Sequence, residues 1–188
     1  MGDLSMAMVA GSTLYVIPEE IRLDLLALND FFEQNGITHL LMTTQVATQF
    51  AINFPENKSL HTLYTGGEKM SSFPLPKFGI QNCYGPTEAS CYVVSKHVTV
   101  QEPDIPIGRP LPGVRAYVVG KGGKRLPVGA AGELLVAGWQ VGKGYLNRPD
   151  KTAEVFVDNP FTDDPGSGRC HRCGKRGGNS LRLRRDCR

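Results

Sequence analysis

The sequence predicts an α/β protein, in which part of a doubly wound sheet layer is followed by a small antiparallel β-barrel or distorted sheet. Two observations support this fold class. Apolar segments with strand and helix spacing alternate over residues 12–65, a pattern typical of a parallel sheet covered by helices. After Gly85 the chain changes to short apolar segments separated by Gly and Pro turns, which favours antiparallel pairing.

The alternating elements lie in the first half of the chain. Residues 12–17 are mostly apolar and end at a proline, which predicts a buried strand. Leu25, Leu28 and Phe32 recur at helical spacing, and Gly36 follows where a helix C-cap belongs. The other predicted elements are a strand at residues 39–43, a helix at residues 45–54 and a strand at residues 60–65.

Short strands and turns make up the second half. The predicted strands are at residues 92–98, 114–119 and 133–137. Gly122 and Gly123 are predicted at the tip of the hairpin that joins the last two. In open α/β sheets, ligands gather at the carboxyl ends of the strands, so we expect a binding edge near Gly66 and Gly85.

Composition excludes several classes of protein. The chain has 188 residues, of which 40% are apolar and 21% charged, enough for one sizeable core. No apolar stretch approaches the roughly 18 residues of a membrane span, and no signal pattern opens the chain, so we predict a cytoplasmic protein without a membrane partner. Five cysteines, an odd number, argue against a disulfide framework.

The net charge of +3 is unevenly distributed. Residues 169–188 hold eight Lys or Arg and one acid, whereas residues 1–168 are net acidic. A strongly basic surface over the whole chain is therefore not expected, and we predict no specific nucleic-acid partner.

Residues 82–88, Asn-Cys-Tyr-Gly-Pro-Thr-Glu, form the most informative segment. Tyr84 offers an aromatic face to a purine, and a turn at Gly85-Pro86 lets backbone approach a ligand closely. Glu88 offers a carboxylate to a Mg²⁺-phosphate group. An ordinary strand-to-turn connection explains this segment equally well when it is taken alone.

A second segment favours the nucleotide-site interpretation over an ordinary turn. It reads Gly-Glu-Leu-Leu-Val-Ala-Gly and continues over residues 132–149. Together the two segments resemble core motifs of the adenylate-forming enzymes, specifically the amino-acid-activating adenylation (AMP-binding) domains of nonribosomal peptide synthetases. The resemblance predicts that residues 1–168 are part of an adenylation domain core. Supporting segments follow in the family's order at residues 11–17, 63–68, 105–110 and 156–161.

The resemblance implies a reaction and its ligands. An amino acid and ATP, with Mg²⁺, would give an aminoacyl-adenylate and pyrophosphate, and the acyl group would pass to the phosphopantetheine thiol of a carrier-protein domain. Tyr84 would stack on adenine. Asn82, the backbone at Gly66 and Gly67, and the turn at Gly85 would complete the nucleotide contacts. Thr87 would meet phosphate as a catalytic residue, and Glu88, also catalytic, would hold the metal.

The same resemblance implies a pocket for the amino-acid side chain. It contains neither an acid nor a lysine, which favours an uncharged or aromatic substrate. Without the family, Leu41 and Tyr64 are more typical of core residues on strands than of ligand contacts. The implied pocket residues are Leu41, Tyr64, Gly66, Cys83, Cys91 and Tyr92.

Several of the family's motifs have no match in the 188 residues. The phosphate loop and the aspartate that holds the substrate ammonium are not found upstream; Asp3 stands too close to Gly11 to be that aspartate. After Arg169 the family's Tyr-Arg-Thr-Gly-Asp motif is replaced by Arg, Gly and Cys without apolar periodicity. Residues 169–188 are therefore predicted to be a basic, unstructured tail of the kind that out-of-frame translation produces.

The tail also allows a functional interpretation, as a zinc set of Cys170, His171, Cys173 and Cys187 with arginines for nucleic acid. The leading hypothesis is a fragment of an adenylation domain that is inactive by itself. One alternative is a non-enzymatic nucleotide-binding remnant or basic-tailed interaction protein. The other is an acyl-CoA-synthetase-like fragment, which the Gly85-Pro86 pair disfavours.

Overall fold

A computed structural model describes residues 2–162, 168–173 and 181–182. The chain forms two compact units. The first comprises Met1–Tyr84 and Ser95–Gly108, and the second comprises Gly85–Val94 and Arg109–Arg188. No helix among the described residues is both long enough and apolar enough to cross a membrane.

The first unit alternates helices with strands of one sheet. β1, β2 and β3 pair in parallel, and β4 is next in the sheet order. This confirms the predicted α/β layer. The elements are α1 (Gly2–Ala10), a 3-10 helix (Glu19–Ile21), α2 (Leu25–Gln34), β1 (His39–Thr43), α3 (Thr44–Asn53), β2 (Thr62–Gly66), β3 (Gly79–Tyr84) and β4 (Val94–Val98).

Helix α2 forms where its apolar spacing predicts. Its N-terminus is capped by Asp24, whose carboxylate accepts hydrogen bonds from two backbone N–H groups of the first turn at 2.9 and 3.1 Å. Leu28 and Phe32 are buried, at 2% and 1% exposure. Gly36 adopts φ +60° just beyond the helix, a conformation that costs glycine little.

The core of the first unit lies between its helices and one face of the sheet. Side chains alternate along a strand, and Leu40, Leu63 and Ile80 point to this buried face. Phe32 and Phe50 meet in the same cluster, with ring centroids 5.6 Å apart.

The predicted strand at residues 12–17 is wrong. The structure has no regular element there, and Leu14, Tyr15, Val16 and Ile17 are 38–82% exposed. A strand requires a neighbour for its backbone hydrogen bonds, and no described strand pairs with this segment. The preceding helix α1 was not anticipated, since its apolar residues follow no helical periodicity.

The second unit is mainly antiparallel. β7 is central, because it pairs with β6, β9 and β10, and β8 pairs with β9. The described strands form an open, distorted sheet and not a closed barrel. The elements are a 3-10 helix (Thr87–Ala89), β5 (Arg109–Pro110), β6 (Val114–Val119), β7 (Ala131–Gly138), α4 (Pro149–Val155), β8 (Phe156–Asp158), β9 (Arg169–Arg172) and β10 (Leu181–Arg182).

The hairpin between β6 and β7 follows its prediction. Gly122 and Gly123 lie at its tip, where Gly123 N–H donates to Gly120 O at 3.0 Å and Gly120 N–H donates to Lys124 O at 3.0 Å. Gly123 has φ +71°, which explains why glycine suits this turn.

The prediction of an unstructured tail is wrong for Arg169–Arg172. These residues form β9, which lies between β7 and β8 and pairs with both. Cys170 and His171 are 0% and 3% exposed. Strand pairing uses backbone groups and so tolerates an unusual side-chain sequence, provided that the inward positions can be buried. Residues 174–180 and 183–188 of the predicted tail lie outside the described residues.

Candidate active site

The carboxyl ends of three parallel strands meet at one edge of the first unit. Thr43, Gly66 and Cys83 are directly opposite one another in the register of β1, β2 and β3. The predicted nucleotide residues Gly67 and Tyr84 follow at this edge, Tyr84 being half-buried. The structure thus brings together at one edge two segments that the sequence separates.

Gly66 and Gly67 have different physical requirements. A Cβ atom on Gly66 would lie 2.2 Å from the carbonyl oxygen of Cys83, so a side chain there would force β2 and β3 apart. Gly67 has open space around it but adopts φ +99°, in the region that favours glycine. At this edge, a residue in close contact with the neighbouring strand, Gly66, is therefore followed directly by a residue with a left-handed backbone, Gly67.

Asn82 is buried at 3% exposure, and its side-chain amide donates to the carbonyl oxygen of Pro106 at 3.1 Å. This contact ties the end of β3 to the segment before Gly108. Gly108 must be glycine here, because a Cβ would lie 1.9 Å from the carbonyl oxygen of Ser95. The contact of Asn82 with adenine stays a prediction, and the structure adds a structural role for its side chain.

Four predicted pocket residues share the sheet face opposite the core. Leu41 and Tyr64 are paired across β1 and β2, and Gly66 and Cys83 are paired across β2 and β3. Alternation along each strand places all four on the same side. His39 lies on this face too, with its ring stacked 6.2 Å from that of Tyr64.

The sequence did not predict His39 as a neighbour of these four residues. The signal was available, because it precedes Leu41 by two positions on the same strand. The register between strands, which the sequence does not state, was the missing information.

The other two predicted pocket residues belong to the second unit. A Cβ on Gly85 would lie 2.5 Å from Tyr92 Cα and 2.7 Å from Cys91 O, so backbone at residues 91–93 packs directly on Gly85. Cys91 is exposed and Tyr92 half-buried. Ser90 makes the return possible with φ 73°. Both residues therefore lie beside the Gly-Pro turn.

Thr87 and Glu88 occupy the short 3-10 helix after Pro86. Ala89 anchors it with a fully buried methyl group, and its N–H donates to Pro86 O at 3.0 Å. The carbonyl oxygen of Glu88 accepts from Gly142 N–H at 2.7 Å. Thr87 is exposed, and the Glu88 side chain is 25% exposed. The backbone around Glu88 is thus fixed while its carboxylate remains accessible.

Two side chains from distant segments face that carboxylate. The Tyr145 hydroxyl donates to Glu88 Oε1 at 2.5 Å, and His171 Nε2 lies 3.9 Å from Oε2. The hydrogen bond to Glu88, then burial and then the negative charge of Glu88 raise the pKa of Tyr145. Burial lowers the pKa of His171, and the charge of Glu88 partly opposes that shift.

The sequence predicted no role for Tyr145, and it offered His171 only as a member of the alternative zinc set and not as a neighbour of Glu88. Tyr145 lies within the second motif, so its segment was recognised from the sequence. Its hydrogen bond to Glu88 was not. His171 lies where the resemblance ends, and no sequence signal connects it with Glu88.

The residues present fit a magnesium–nucleotide ligand at Glu88. Mg²⁺ is commonly held by one or two carboxylates together with phosphate oxygens and water, so a single accessible carboxylate suffices. No group of three or more His, Cys, Asp or Glu side chains within the described part of the chain could hold a metal. The zinc set suggested by sequence includes Cys187, which lies outside the described residues. Burial raises the pKa of Cys170 to about 11, which keeps that thiol protonated at neutral pH.

Comparison with known proteins identifies the family. The AMP-binding enzyme family matches residues 1–146. Surfactin synthase subunit 2 of Bacillus subtilis (strain 168) is 44% identical over 164 residues, 87% of this chain and 4% of that protein. Bacitracin synthase 1 of Bacillus licheniformis is 41% identical over 165 residues, 88% of this chain and 3% of that protein.

The fold also matches that of a solved structure. The N-terminal subdomain of Klebsiella oxytoca NpsA, solved with 3-hydroxybenzoyl-AMSN, has a TM-score of 0.74 and 25% sequence identity. The match covers 90% of this chain and 44% of that one. This chain therefore belongs to the AMP-binding enzyme family, and its sequence corresponds to part of the adenylation domain of nonribosomal peptide synthetases.

Proposed function

We propose that this chain carries part of the ATP and amino-acid binding surface of an amino-acid-activating ligase. The reaction of the complete enzyme is amino acid plus ATP to aminoacyl-adenylate plus pyrophosphate, followed by acyl transfer to the phosphopantetheine thiol of a carrier-protein domain. The similarity to peptide synthetases supports amino-acid activation over acyl-CoA synthesis. The proposed location is the cytoplasm, where amino acids and ATP are available.

The observation that carries this proposal is the parallel register of β1, β2 and β3. It aligns Gly66 with Cys83 at the carboxyl edge and gives Leu41 and Tyr64 the same face. Ligands of open α/β sheets bind at such an edge. A nucleotide contact and a substrate contact can therefore be built from adjacent strands.

Each residue has a proposed task. Phosphoryl chemistry depends mainly on positioning and on neutralising charge. Tyr84 stacks on adenine and Thr87 donates to a phosphate oxygen. Glu88 would hold Mg²⁺, which when bound would supply positive charge to the phosphates. Tyr145 holds the Glu88 carboxylate in one orientation through its hydrogen bond.

The 188-residue chain is proposed to be inactive by itself. Its sequence contains no match to the family's phosphate loop, substrate aspartate or ribose-binding aspartate. Loss of a single preorganised polar contact costs about 10²–10³ in rate, so the loss of several leaves activity near background. Amino-acid-dependent exchange of pyrophosphate into ATP by the purified chain would refute this part of the proposal.

We further propose that the chain beyond Arg169 is out of frame with the adenylation domain. The support is the abrupt change to Arg, Gly and Cys where Tyr-Arg-Thr-Gly-Asp is expected. The coding DNA tests it directly. A one-base shift near codon 169 should restore that motif and a continuing domain, and if no frame restores it the proposal fails.

A chimera tests the assigned activity. Residues 1–162 would replace the matching part of a complete adenylation domain from a related synthetase, and ATP–pyrophosphate exchange would be measured with each common amino acid. Glu88→Gln keeps the size of the side chain and removes its charge, so turnover of every substrate should fall together. Glu102→Gln, at a half-buried acid of the first unit, is the matched control and should keep activity. Normal exchange by the Glu88→Gln chimera would show that the assignment is wrong.

A further inference from the structure

The sheet face opposite the core of the first unit is built from rows of side chains. Leu41, Tyr64 and Gln81 lie directly opposite one another on β1, β2 and β3. Two residues further toward the carboxyl edge, Gly66 and Cys83 form the next row on the same face. Successive rows are about 7 Å apart along the strands. Large side chains therefore stand one row behind small ones when the face is entered from the edge.

The row nearest the edge has to remain low. Gly66 cannot carry a side chain, because a Cβ would lie 2.2 Å from the carbonyl oxygen of Cys83. Cys83 itself is small and 6% exposed. A substrate side chain that crosses this row from the edge therefore meets Tyr64 and Gln81 behind it.

The Gln81 amide is fixed at one end. Its Nε2 donates to Ser95 Oγ on β4 at 2.9 Å, in a half-buried contact. A serine hydroxyl both donates and accepts, so this contact forms whichever way the amide is turned. Within the described part of the chain no other hydrogen bond engages the Gln81 side chain. The second end of the amide is therefore available to a ligand.

The Tyr64 ring is held in place beside this amide. The ring of His39 stacks on it, with centroids 6.2 Å apart and planes 29° apart, and Tyr64 is half-buried. Its hydroxyl makes no hydrogen bond to any residue that the structure describes. Because a phenol both donates and accepts, the pair of Tyr64 and Gln81 can satisfy a polar group of either kind.

We propose that Tyr64 and Gln81 select an amino acid whose uncharged side chain ends in a hydrogen-bonding group, as that of glutamine does. An apolar side chain would displace water from both groups without replacing its hydrogen bonds. A charged side chain would meet no opposite charge, because the two rows contain neither an acid nor a lysine or arginine. Gln81 is thus a further specificity-determining residue, outside the pocket that the family resemblance implies. The inference rests on the proposed function, which places the substrate side chain over this face.

Binding of free amino acids to the full chain tests the proposal without ATP. L-Glutamine and L-methionine have side chains of similar length, and saturation-transfer NMR titrations would compare their affinities. Glutamine should bind at least about tenfold more tightly, and Gln81→Leu should abolish this preference. Gln140→Leu, at a half-buried glutamine of the second unit, is the matched control and should keep it.

Tyr64→Phe is the second variant and decides if Gln81→Leu does not fold. It should weaken the binding of glutamine and leave that of methionine unchanged, since only the hydroxyl is lost. Equal affinity of the wild-type chain for the two amino acids, no binding of glutamine, or an unchanged preference in the variants would each overturn the proposal.

The chimeric enzyme separates this inference from the proposed function. Glutamine should support pyrophosphate exchange with a kcat/KM about 10–100-fold above that of methionine, and Gln81→Leu should lower the value for glutamine alone. Exchange with other amino acids but no preference for glutamine over methionine would contradict the role of Gln81 and leave adenylation standing. An inactive chimera, with the glutamine preference of the full chain intact, would count against the adenylation proposal alone.

Discussion

The Tyr145 hydroxyl donates a hydrogen bond to Glu88 Oε1 at 2.5 Å, across a sequence separation of 57 residues. This contact joins the two motifs on which the family resemblance depends, and it lies wholly within the second unit. The carboxylate favours the protonated phenol, which raises the pKa of Tyr145 above its ordinary value of 10.0. At neutral pH the hydroxyl is therefore a permanent donor that orients the carboxylate.

Tyr145→Phe should reduce the free energy of unfolding by about 0.5–1 kcal/mol, which is less than a hydrogen bond to a charged group usually contributes, because the site is partly exposed. The ring contact with Phe156 is retained in this variant. Since the folded pKa is raised, the difference from wild type should be complete below pH 10 and should disappear as pH rises through the folded pKa. Urea unfolding of both proteins measures it. Tyr15→Phe, exposed in the first unit, should show no such difference.

The buried His171 should make the second unit sensitive to acid. Burial lowers the pKa of His171, so as the pH is lowered the unfolded chain binds a proton at a higher pH than the folded chain does. Stability should therefore be unaffected above the ordinary pKa of 6.5 and should fall as pH decreases through the lower folded value. Urea midpoints at pH 7 and pH 5 measure the loss. His171→Gln should show a smaller decrease than wild type, and an equal decrease in both would contradict the assignment.

Gly66→Ala should destabilise the first unit by about 1–3 kcal/mol, because the new methyl group would meet a backbone oxygen of β3 and not a movable side chain. Gly122→Ala is the matched control, since open space surrounds that residue, and its effect should stay within about 0.5 kcal/mol. Thermal unfolding compares the two variants. Equal stability would show that β2 and β3 separate easily at this edge.

Truncation should reveal the structural role of β9. A chain ending at Gly168 loses the strand between β7 and β8 and the buried Cys170, so its second unit should unfold at lower temperature and less cooperatively. A chain ending at Cys173 keeps this strand and is the control. Scanning calorimetry of the two truncated chains measures the difference, and identical transitions would indicate that β9 contributes little to stability.

Cys91 should affect the choice of substrate in the chimeric enzyme. It is exposed beside Tyr92, so Cys91→Phe fills space without removing a group proposed to contact ATP. Relative kcat/KM among amino acids should shift by about 10–200-fold, as a change of pocket size allows. Exchange assays with a panel of amino acids measure the shift. A uniform loss for every substrate would place Cys91 outside the pocket.

Local patterns were sufficient for much of the fold. The helix beginning at Leu25 and the strand at His39–Thr43 follow from apolar spacing and a glycine C-cap, which depend on residues a few positions apart. The family followed from ordered motifs, because a ligand-binding loop requires particular residues at short, fixed spacing. These features are encoded within single segments, so the linear sequence determined them.

The tertiary structure determined the features that depend on contacts between segments distant in the sequence. Residues 12–17 have the composition of a strand but lack a neighbouring strand among the described residues, whereas Arg169–Arg172 lack that composition and pair on both sides. The meeting of Glu88 with Tyr145 and His171 depends on the pairing of β9 with β8 and on the backbone bond from Gly142 to Glu88. Backbone pairing and burial are set by whichever segments come together in space, and the spacing of residues along the chain does not specify that.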